Sequence, residues 1–174
     1  MAITVAAHPM ILVWANFTPS ATQIVDPQDG TLVDALTRFR FTVPALPPRA
    51  FNGQLAMADQ NIIRISPNGQ VFTGVIQTPA LLSHEQFHYD VGIVTGRALA
   101  HELMGLRAPN LAALAAAFQS AVQLHFSTRA RLLQRRYDLD TRHGTNAHYQ
   151  KIWKNRMAVC LANPRSSQLG GFFL

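Results

Sequence analysis

The sequence predicts an α+β fold, in which a small N-terminal sheet packs on one long helix and further helices follow. The first 76 residues contain short β-branched and aromatic runs separated by turn residues. After Thr78, apolar residues recur at helical spacing in three segments bounded by proline, glycine or asparagine. A length of 174 residues suits one domain, 1–174, and a 48% hydrophobic content with 14% charged residues is typical of a globular chain.

The N-terminal third predicts two separate strands. Because Pro9 interrupts the first apolar run, we expect the strand to occupy Met10–Phe17. The polar stretch Pro19–Gly30 is rich in turn residues and predicts a loop. A second strand is expected over Arg38–Val43, whereas Thr31–Leu36 carries no clear pattern.

The next stretch predicts a β-hairpin. Three prolines between Pro44 and Pro48 indicate a connector, and the hairpin is expected within Gln54–Ile76. Its turn would be Ser66-Pro67-Asn68-Gly69, a run of strong turn formers. Val71–Ile76 would form the return strand, with an exposed edge that could hold an extended peptide by main-chain hydrogen bonds.

Three helices are expected in the remainder of the chain. The first covers Ala80–Met104, and Thr78-Pro79 supplies an N-cap followed by a first-turn proline. The second runs from Leu111 to about Arg142 and ends before Gly144. The third covers Asn146–Leu161 and carries apolar residues at core spacing.

The first helix contains the run His84-Glu85-Gln86-Phe87-His88. Histidines four residues apart lie on one face of a helix, so both imidazoles can reach one metal ion, usually zinc. The glutamate after the first histidine is then placed to act on a water at the metal without being a ligand. By itself the five-residue motif also fits two unrelated helix histidines, but its mid-helix setting favours the metal interpretation. The motif therefore predicts a zinc metallopeptidase in which Glu85 is the general base.

A catalytic zinc ion needs a third protein ligand. The extended motif with glycine three and histidine six residues after the second histidine is excluded, because Val91 and Val94 occupy those positions. Glu102 lies fourteen residues beyond His88, or roughly 21 Å along the same helix, and Asp90 faces elsewhere. The candidates that remain are the histidines outside the motif and the side chains gathered at the end of the second helix: His101, His125, His148, Tyr137, Asp138, Asp140 and His143.

Three segments together resemble a bacterial domain family described as predicted secreted zinc-dependent proteases of the zincin clan. They are Leu12-x-Trp14-x-x-Phe17, His84-Glu85-Gln86-x-His88, and Tyr137-Asp138-x-x-Thr141-x-His143-Gly144 with Trp153 after it. The likeness covers the chain from about Leu12 to Met157. It implies a zincin-like fold, zinc bound by His84 and His88, Glu85 as general base and His143 as third ligand. The position of His143 just before Gly144 also favours it, with Asp138 as the runner-up and Asp140 as a further competitor.

The expected activity is hydrolysis of a peptide or protein substrate by a zinc metalloendopeptidase. Tyr137, His148 and Tyr149 are candidates for stabilising the oxyanion, and Asp138 or Asp140 could instead orient a ligand histidine. The alternative is a non-catalytic zinc-containing module of zincin fold that binds a partner protein. A fourth protein ligand that closes the metal site would distinguish this module from the enzyme.

Charge and hydropathy bear on partners and location. The net charge is +6, and residues 129–174 hold nine basic residues against two acids. Because no nucleic-acid-binding motif accompanies them, we interpret these residues as solvated helix faces, and a nucleic-acid partner is not favoured. No apolar run is long enough for a membrane span. The resemblance implies secretion or a periplasmic location, but residues 1–17 lack the features of a signal peptide, so the cytoplasm stays an alternative.

Overall fold

The computed structural model describes residues 3–43, 48–58 and 61–174 and has a mixed α+β architecture, as predicted. The strands are β1 (Thr4–Ala7), β2 (Phe17–Ser20), β3 (Ile24–Val25), β4 (Leu32–Val33), β5 (Ala35–Thr42), β6 (Arg49–Phe51), β7 (Gln54–Ala56), β8 (Ile62–Phe72), β9 (Arg107–Ala108), β10 (Gln168–Leu169) and β11 (Phe172–Phe173). The helices are α1 (Pro79–Gly105), α2 (Leu111–Val122), α3 (Ala130–Thr141) and α4 (Ala147–Ala162). The connector predicted between Pro44 and Pro48 lies mostly outside the described residues.

Strand β8 is the centre of the main sheet. It pairs in parallel with β1 and with β2, and antiparallel with β5. Because β5 pairs along most of β8, the strands β1 and β2 must share the opposite edge of β8. Within the described residues β5 has no second strand partner, so its outer edge is free of strand pairing. The sheet is therefore mixed, and β5 is an edge strand.

The hairpin prediction was wrong. The run Ser66-Pro67-Asn68-Gly69 does not turn but continues inside β8, where Pro67 lies opposite Phe39 of β5. A β-carbon on Gly69 would lie 2.7 Å from the Phe17 ring, so the glycine here admits a core side chain. Pairing along both edges and this close packing outweigh the local turn preference. Since both edges of β8 are occupied, its C-terminal part cannot offer the peptide-binding edge that the sequence suggested.

The first strand was also misplaced. Strand β1 precedes Pro9 instead of following it, and a 3-10 turn over Trp14–Asn16 separates it from β2. Residues 10–12 do not pair with the sheet. The side chain of Gln86 on α1 accepts a hydrogen bond from the Leu12 N–H at 2.7 Å and donates to the Met10 carbonyl at 3.2 Å. A side chain of the motif helix thus replaces the ladder that the sequence pattern suggested.

The other predictions for the N-terminal third were approximate. Strand β5 begins three residues before the predicted Arg38, and Thr31–Leu36 contains β4 and the start of β5. The predicted loop Pro19–Gly30 contains the end of β2 and the short strand β3, which pairs with β4. Residues 26–31 connect β3 to β4 and form a loop that contains Asp26 and Asp29.

The helix predictions were confirmed. The hydroxyl of Thr78 accepts a hydrogen bond from the Leu81 N–H and caps α1. The predicted second helix is α2 and α3 joined without a break by a π-helical segment, Gln123–Arg129. Asn146 caps α4 through the Tyr149 N–H. None of the helices in the described part of the chain is long and apolar enough to cross a membrane.

Helix α1 is buried between two apolar clusters. One lies between α1 and the sheet, where a β-carbon on Gly92 would lie 2.5 Å from Phe39 of β5. The other lies between α1, α3 and α4 and includes Phe87, Tyr137 and Trp153. Because α1 is covered on both sides, its polar residues His84, Glu85, His88 and Thr95 are buried inside the protein.

Candidate metal site

Helix α1 places two imidazoles side by side. His84 and His88 are one helical turn apart and are 4% and 5% exposed, respectively. Their Nε2 atoms lie 3.2 Å apart, and their rings meet edge to face. The i, i+4 spacing therefore produces the shared imidazole face that the sequence predicted.

Helix α3 adds a carboxylate to this pair. Asp138 is 5% exposed, and its Oδ1 lies 2.9 Å from His88 Nε2 and 3.2 Å from His84 Nε2. Donor atoms at ~2.0–2.1 Å from a tetrahedral zinc ion lie about 3.3 Å apart, so a triangle of this size fits one ion. The three side chains form a buried group that can hold a metal ion.

The charges of this group depend on one another. Burial lowers the pKa of His88, but the charge and close contact of Asp138, together with Glu85, outweigh that effect and raise the pKa to about 9. Burial also raises the pKa of Asp138, but His88 and His84 hold it well below its usual range. Asp138 is therefore an ionised carboxylate in a buried site, which is the environment that a cation stabilises.

Glu85 completes the motif beside this group. Its side chain is 1% exposed, and its Oε2 has no hydrogen-bond partner among the described residues. Glu85 lines the same pocket as the two histidines and Asp138. A buried carboxylate oxygen without a partner costs folding free energy, so it is a common mark of a functional group.

Three aromatic side chains, Phe87, Tyr137 and Trp153, form an aromatic layer that packs against the two histidines. Tyr137 stacks on His84, with ring centroids 4.8 Å apart, and on Phe87, with centroids 3.7 Å apart. Trp153 of α4 meets both Phe87 and Tyr137 edge to face. These contacts between α1, α3 and α4 fix the position of α3 along α1 and thereby the position of Asp138.

The turn after α3 brings His143 to the mouth of the site. Arg142, His143 and Gly144 all have left-handed backbone conformations, with φ of 49°, 49° and 84°. A β-carbon on Gly144 would lie 3.0 Å from His84 Cγ, so glycine permits this close approach. The His143 side chain is 24% exposed, and its Nε2 lies 3.2 Å from Asp29 Oδ2.

His143 does not belong to the group formed by His84, His88 and Asp138. It lies in a second group with Asp26 and Asp138, whose potential ligand atoms are all within 4.8 Å of one another. The two groups share Asp138. The structure thus brings the predicted third ligand close to the site, but the runner-up, Asp138, makes the direct contacts with both histidines of the motif.

The other polar candidates at the end of α3 and beyond are engaged elsewhere. Asp140 accepts a hydrogen bond from Trp153 Nε1 at 3.0 Å and pairs with Arg136 at 2.9 Å, so it neither joins the group nor orients a ligand histidine. Tyr137 is fully buried with no partner for its hydroxyl among the described residues, and burial raises its pKa further above the usual range. His148 and Tyr149 contact each other at the surface.

Glu102 and Asp90, which the sequence excluded as third ligands, lie outside the site, and so do the candidates His101 and His125. Glu102 binds His125 through a 2.7 Å Oε2–Nε2 contact. Asp90 accepts a hydrogen bond from Gln86. His101 lies with Glu102 and His125 at a separate pocket.

A pocket of about 160 Å³ opens over the candidate metal group. Its polar lining consists of four carboxylates, three imidazoles and one hydroxyl: Asp26, Asp34, Glu85, Asp138, His84, His88, His143 and Thr145. No lysine or arginine lines it among the described residues. The main sheet contributes Ala35 and Leu36 of β5, so the free edge strand borders the pocket.

Sequence reasoning missed Asp26, which is 2% exposed and lies on the loop after β3. Its Oδ1 accepts a hydrogen bond from the Gln28 N–H, a turn contact that Asp-Pro-Gln suggests locally. Its proximity to Asp138 results from folding of the whole chain, and no local pattern signals it.

Comparisons with known proteins brought no match to this chain among family models, curated proteins or solved structures.

Proposed function

We propose that this protein is a zinc-dependent peptidase whose ion is held by His84, His88 and Asp138. The observation that carries the proposal is the convergence of two imidazole Nε2 atoms and one carboxylate oxygen within 3.2 Å of one another, in a buried group beside an unpartnered glutamate. Two imidazoles and a carboxylate are a ligand set that zinc accepts readily. In this proposal Asp138 takes the third position that the family resemblance gives to His143.

A zinc ion in this group would supply a Lewis acid that polarises the scissile carbonyl and makes a water reactive near neutral pH. Glu85 then takes the proton of the attacking water and delivers it to the leaving amine. Its Oε2 is suited to this role because no protein group described here competes for it. The aromatic layer under the imidazoles holds the two histidines in place while the proton moves.

The free edge of β5 supports a peptide as the substrate. Ala35 and Leu36 lie at the pocket, and β5 pairs only with β8 among the described strands. An extended peptide can add to such an edge through main-chain hydrogen bonds, which would present its carbonyl groups to the pocket. This edge replaces the one predicted on Val71–Ile76, the return strand of the supposed hairpin.

The experiment compares the zinc-loaded protein with its Glu85→Gln variant on a mixed peptide library, with mass spectrometric detection of the products. We expect cleavage by the wild type and a loss of roughly 10²–10⁴-fold in the variant, because only the base is removed. Glu102→Gln is the matched control, since it makes the same change at the only other glutamate in the chain. It should retain full activity.

Zinc content separates the outcomes. Glu85→Gln should bind as much zinc as the wild type, because Glu85 is not a proposed ligand. If Glu85→Gln cleaves as fast as wild type, the proposed mechanism is wrong. If the zinc-loaded wild type cleaves no peptide, the partner-binding module is the better account of the same metal site.

A further inference from the structure

A second group of ligand side chains lies directly beside the first. It consists of Asp26, Asp138 and His143, which come from the loop after β3, from α3 and from the turn after α3. Asp26 and Asp138 are 2% and 5% exposed, whereas the His143 side chain is 24% exposed. Carboxylates this strongly buried rarely lie together without a cation to compensate their repulsion.

The shared residue suggests how the two groups are related. Asp138 belongs to both, and one carboxylate has two oxygens with which it can bridge two cations. Sites with two metal ions commonly place them about 3.5–4 Å apart and use such a bridge. The spread of the second group, within 4.8 Å, is small enough for one ion.

The charge of the pocket is an independent observation. Four carboxylates line it, and no lysine or arginine does among the described residues. Each divalent ion carries two positive charges, so two such ions match the number of carboxylates in this lining. This concentration of acid is notable in a chain whose net charge is +6.

His143 has the surroundings of a metal-binding imidazole. One of its ring nitrogens, Nε2, lies 3.2 Å from the Asp29 carboxylate. A carboxylate on one ring nitrogen is the usual outer partner of an imidazole that binds a metal through the other nitrogen. Asp26 and Asp29 lie on the same loop, so one segment supplies both a potential ligand and the partner of His143.

We propose that this protein has a second divalent metal site, formed by Asp26, Asp138 and His143, so that Asp138 bridges two ions. The inference rests on the proposed zinc site, because it shares Asp138 with it. The second ion binds more weakly than the first, since its group has one imidazole instead of two and is more open to solvent. His143 is thereby a ligand of this second ion and not of the ion on the motif histidines.

Calorimetric titration of zinc into the chelator-treated protein tests the proposal, with metal content measured by mass spectrometry at each plateau. The wild type should show two steps, each close to one zinc per chain. Asp26→Asn and His143→Ala should each abolish the weaker step and change the affinity of the tighter step by less than about 10-fold. Asn at position 26 retains the Oδ1 acceptor for the Gln28 N–H, so the loop turn is preserved. His148→Ala, which removes an exposed imidazole, is the control and should retain both steps.

The outcomes separate the two proposals. A single step in the wild type, unaffected by Asp26→Asn and His143→Ala, overturns the second site and leaves the zinc site standing. A single step that His143→Ala abolishes also overturns it, because His143 would then bind the only ion. If the wild type takes up no zinc, the proposed function fails and the second site fails with it. If one variant is less stable than the wild type, the loss of its weaker step does not count. The other variant and the number of binding steps in the wild type then decide the outcome.

Discussion

Asp138 Oδ1 lies 2.9 Å from His88 Nε2, although the two residues belong to different helices. This contact adds one carboxylate to the pair of histidines on α1 and completes a three-membered group. The stacking of Tyr137 on Phe87 holds α3 in the position along α1 at which Asp138 contacts His88. The candidate metal site therefore depends on packing between α1 and α3 as much as on the motif on α1.

Gln86 should stabilise the fold by tying the N-terminal segment to α1. Its side chain bonds the Leu12 N–H, the Met10 carbonyl and Asp90 Oδ1. Gln86→Ala should lower the free energy of unfolding by about 1–3 kcal/mol, because it leaves part-buried polar groups without partners. Urea denaturation measures the change. Gln119→Ala, at an exposed position on α2, should change stability by less than about 0.5 kcal/mol. Equal effects of the two substitutions would contradict this role.

Gly144 should be required for the site as well as for the turn. Gly144→Ala forces a side chain into a left-handed position and towards His84. We expect a loss of about 1–2 kcal/mol in stability and a weaker tight zinc site, by about 10-fold or more, measured by competition with a chelator.

Gly53→Ala is the matched control for Gly144. Gly53 has a similar φ of 77°, but no atom lies within 4 Å of the position that a β-carbon would take. It should lose a similar amount of stability from the backbone alone and keep its zinc affinity. A loss of zinc affinity in both variants would show that general destabilisation, and not the contact with His84, is the cause.

His125 should make the protein less stable in mild acid. Burial lowers the pKa of His125 below the ordinary 6.5 and Glu102 only partly opposes this effect. The unfolded chain therefore binds more protons than the folded one as the pH falls through about 6.5, and the free energy of unfolding decreases there. Above about pH 7 this loss of stability is absent, so the folded state has its full stability with respect to His125.

The variant His125→Gln removes that titration but keeps a side-chain donor for Glu102. Its free energy of unfolding, measured in urea at pH 7.5 and at pH 5.5, should differ less between the two conditions than that of the wild type. His148→Gln, at an exposed position, should behave like the wild type. An acid response in His125→Gln as large as in the wild type would rule out His125 as its source.

The helices and the part of the candidate site on α1, His84, Glu85 and His88, could be predicted because their signals are local. The N-cap of α1, the histidine spacing and the glycine after α3 act within a few residues of one another. The strands around β8 could not be placed in the same way. Pro67 and Gly69 carry turn chemistry, but pairing with β5 and contact with Phe17 decide their conformation.

The same contrast applies to the ligands. Asp138 and His143 were both candidate ligands from the sequence. Which of them contacts the two motif histidines depends on how α3 packs on α1. Asp140, two residues from Asp138, faces Trp153 and Arg136 because the helix turns it away from the site. Asp26 had no signal, because its proximity to Asp138 arises only from the folded loop after β3.

The zinc affinity of Asp138→Ala, compared with Asp140→Ala, tests the central claim most directly. The two aspartates lie on one helix, but only Asp138 contacts both His84 and His88. Chelator competition should show that Asp138→Ala loses more than about 100-fold in affinity at the tight site, as expected for a lost ligand, whereas Asp140→Ala stays within about 10-fold of the wild type. Wild-type affinity in Asp138→Ala would contradict the assignment of Asp138 and with it the proposed metal group.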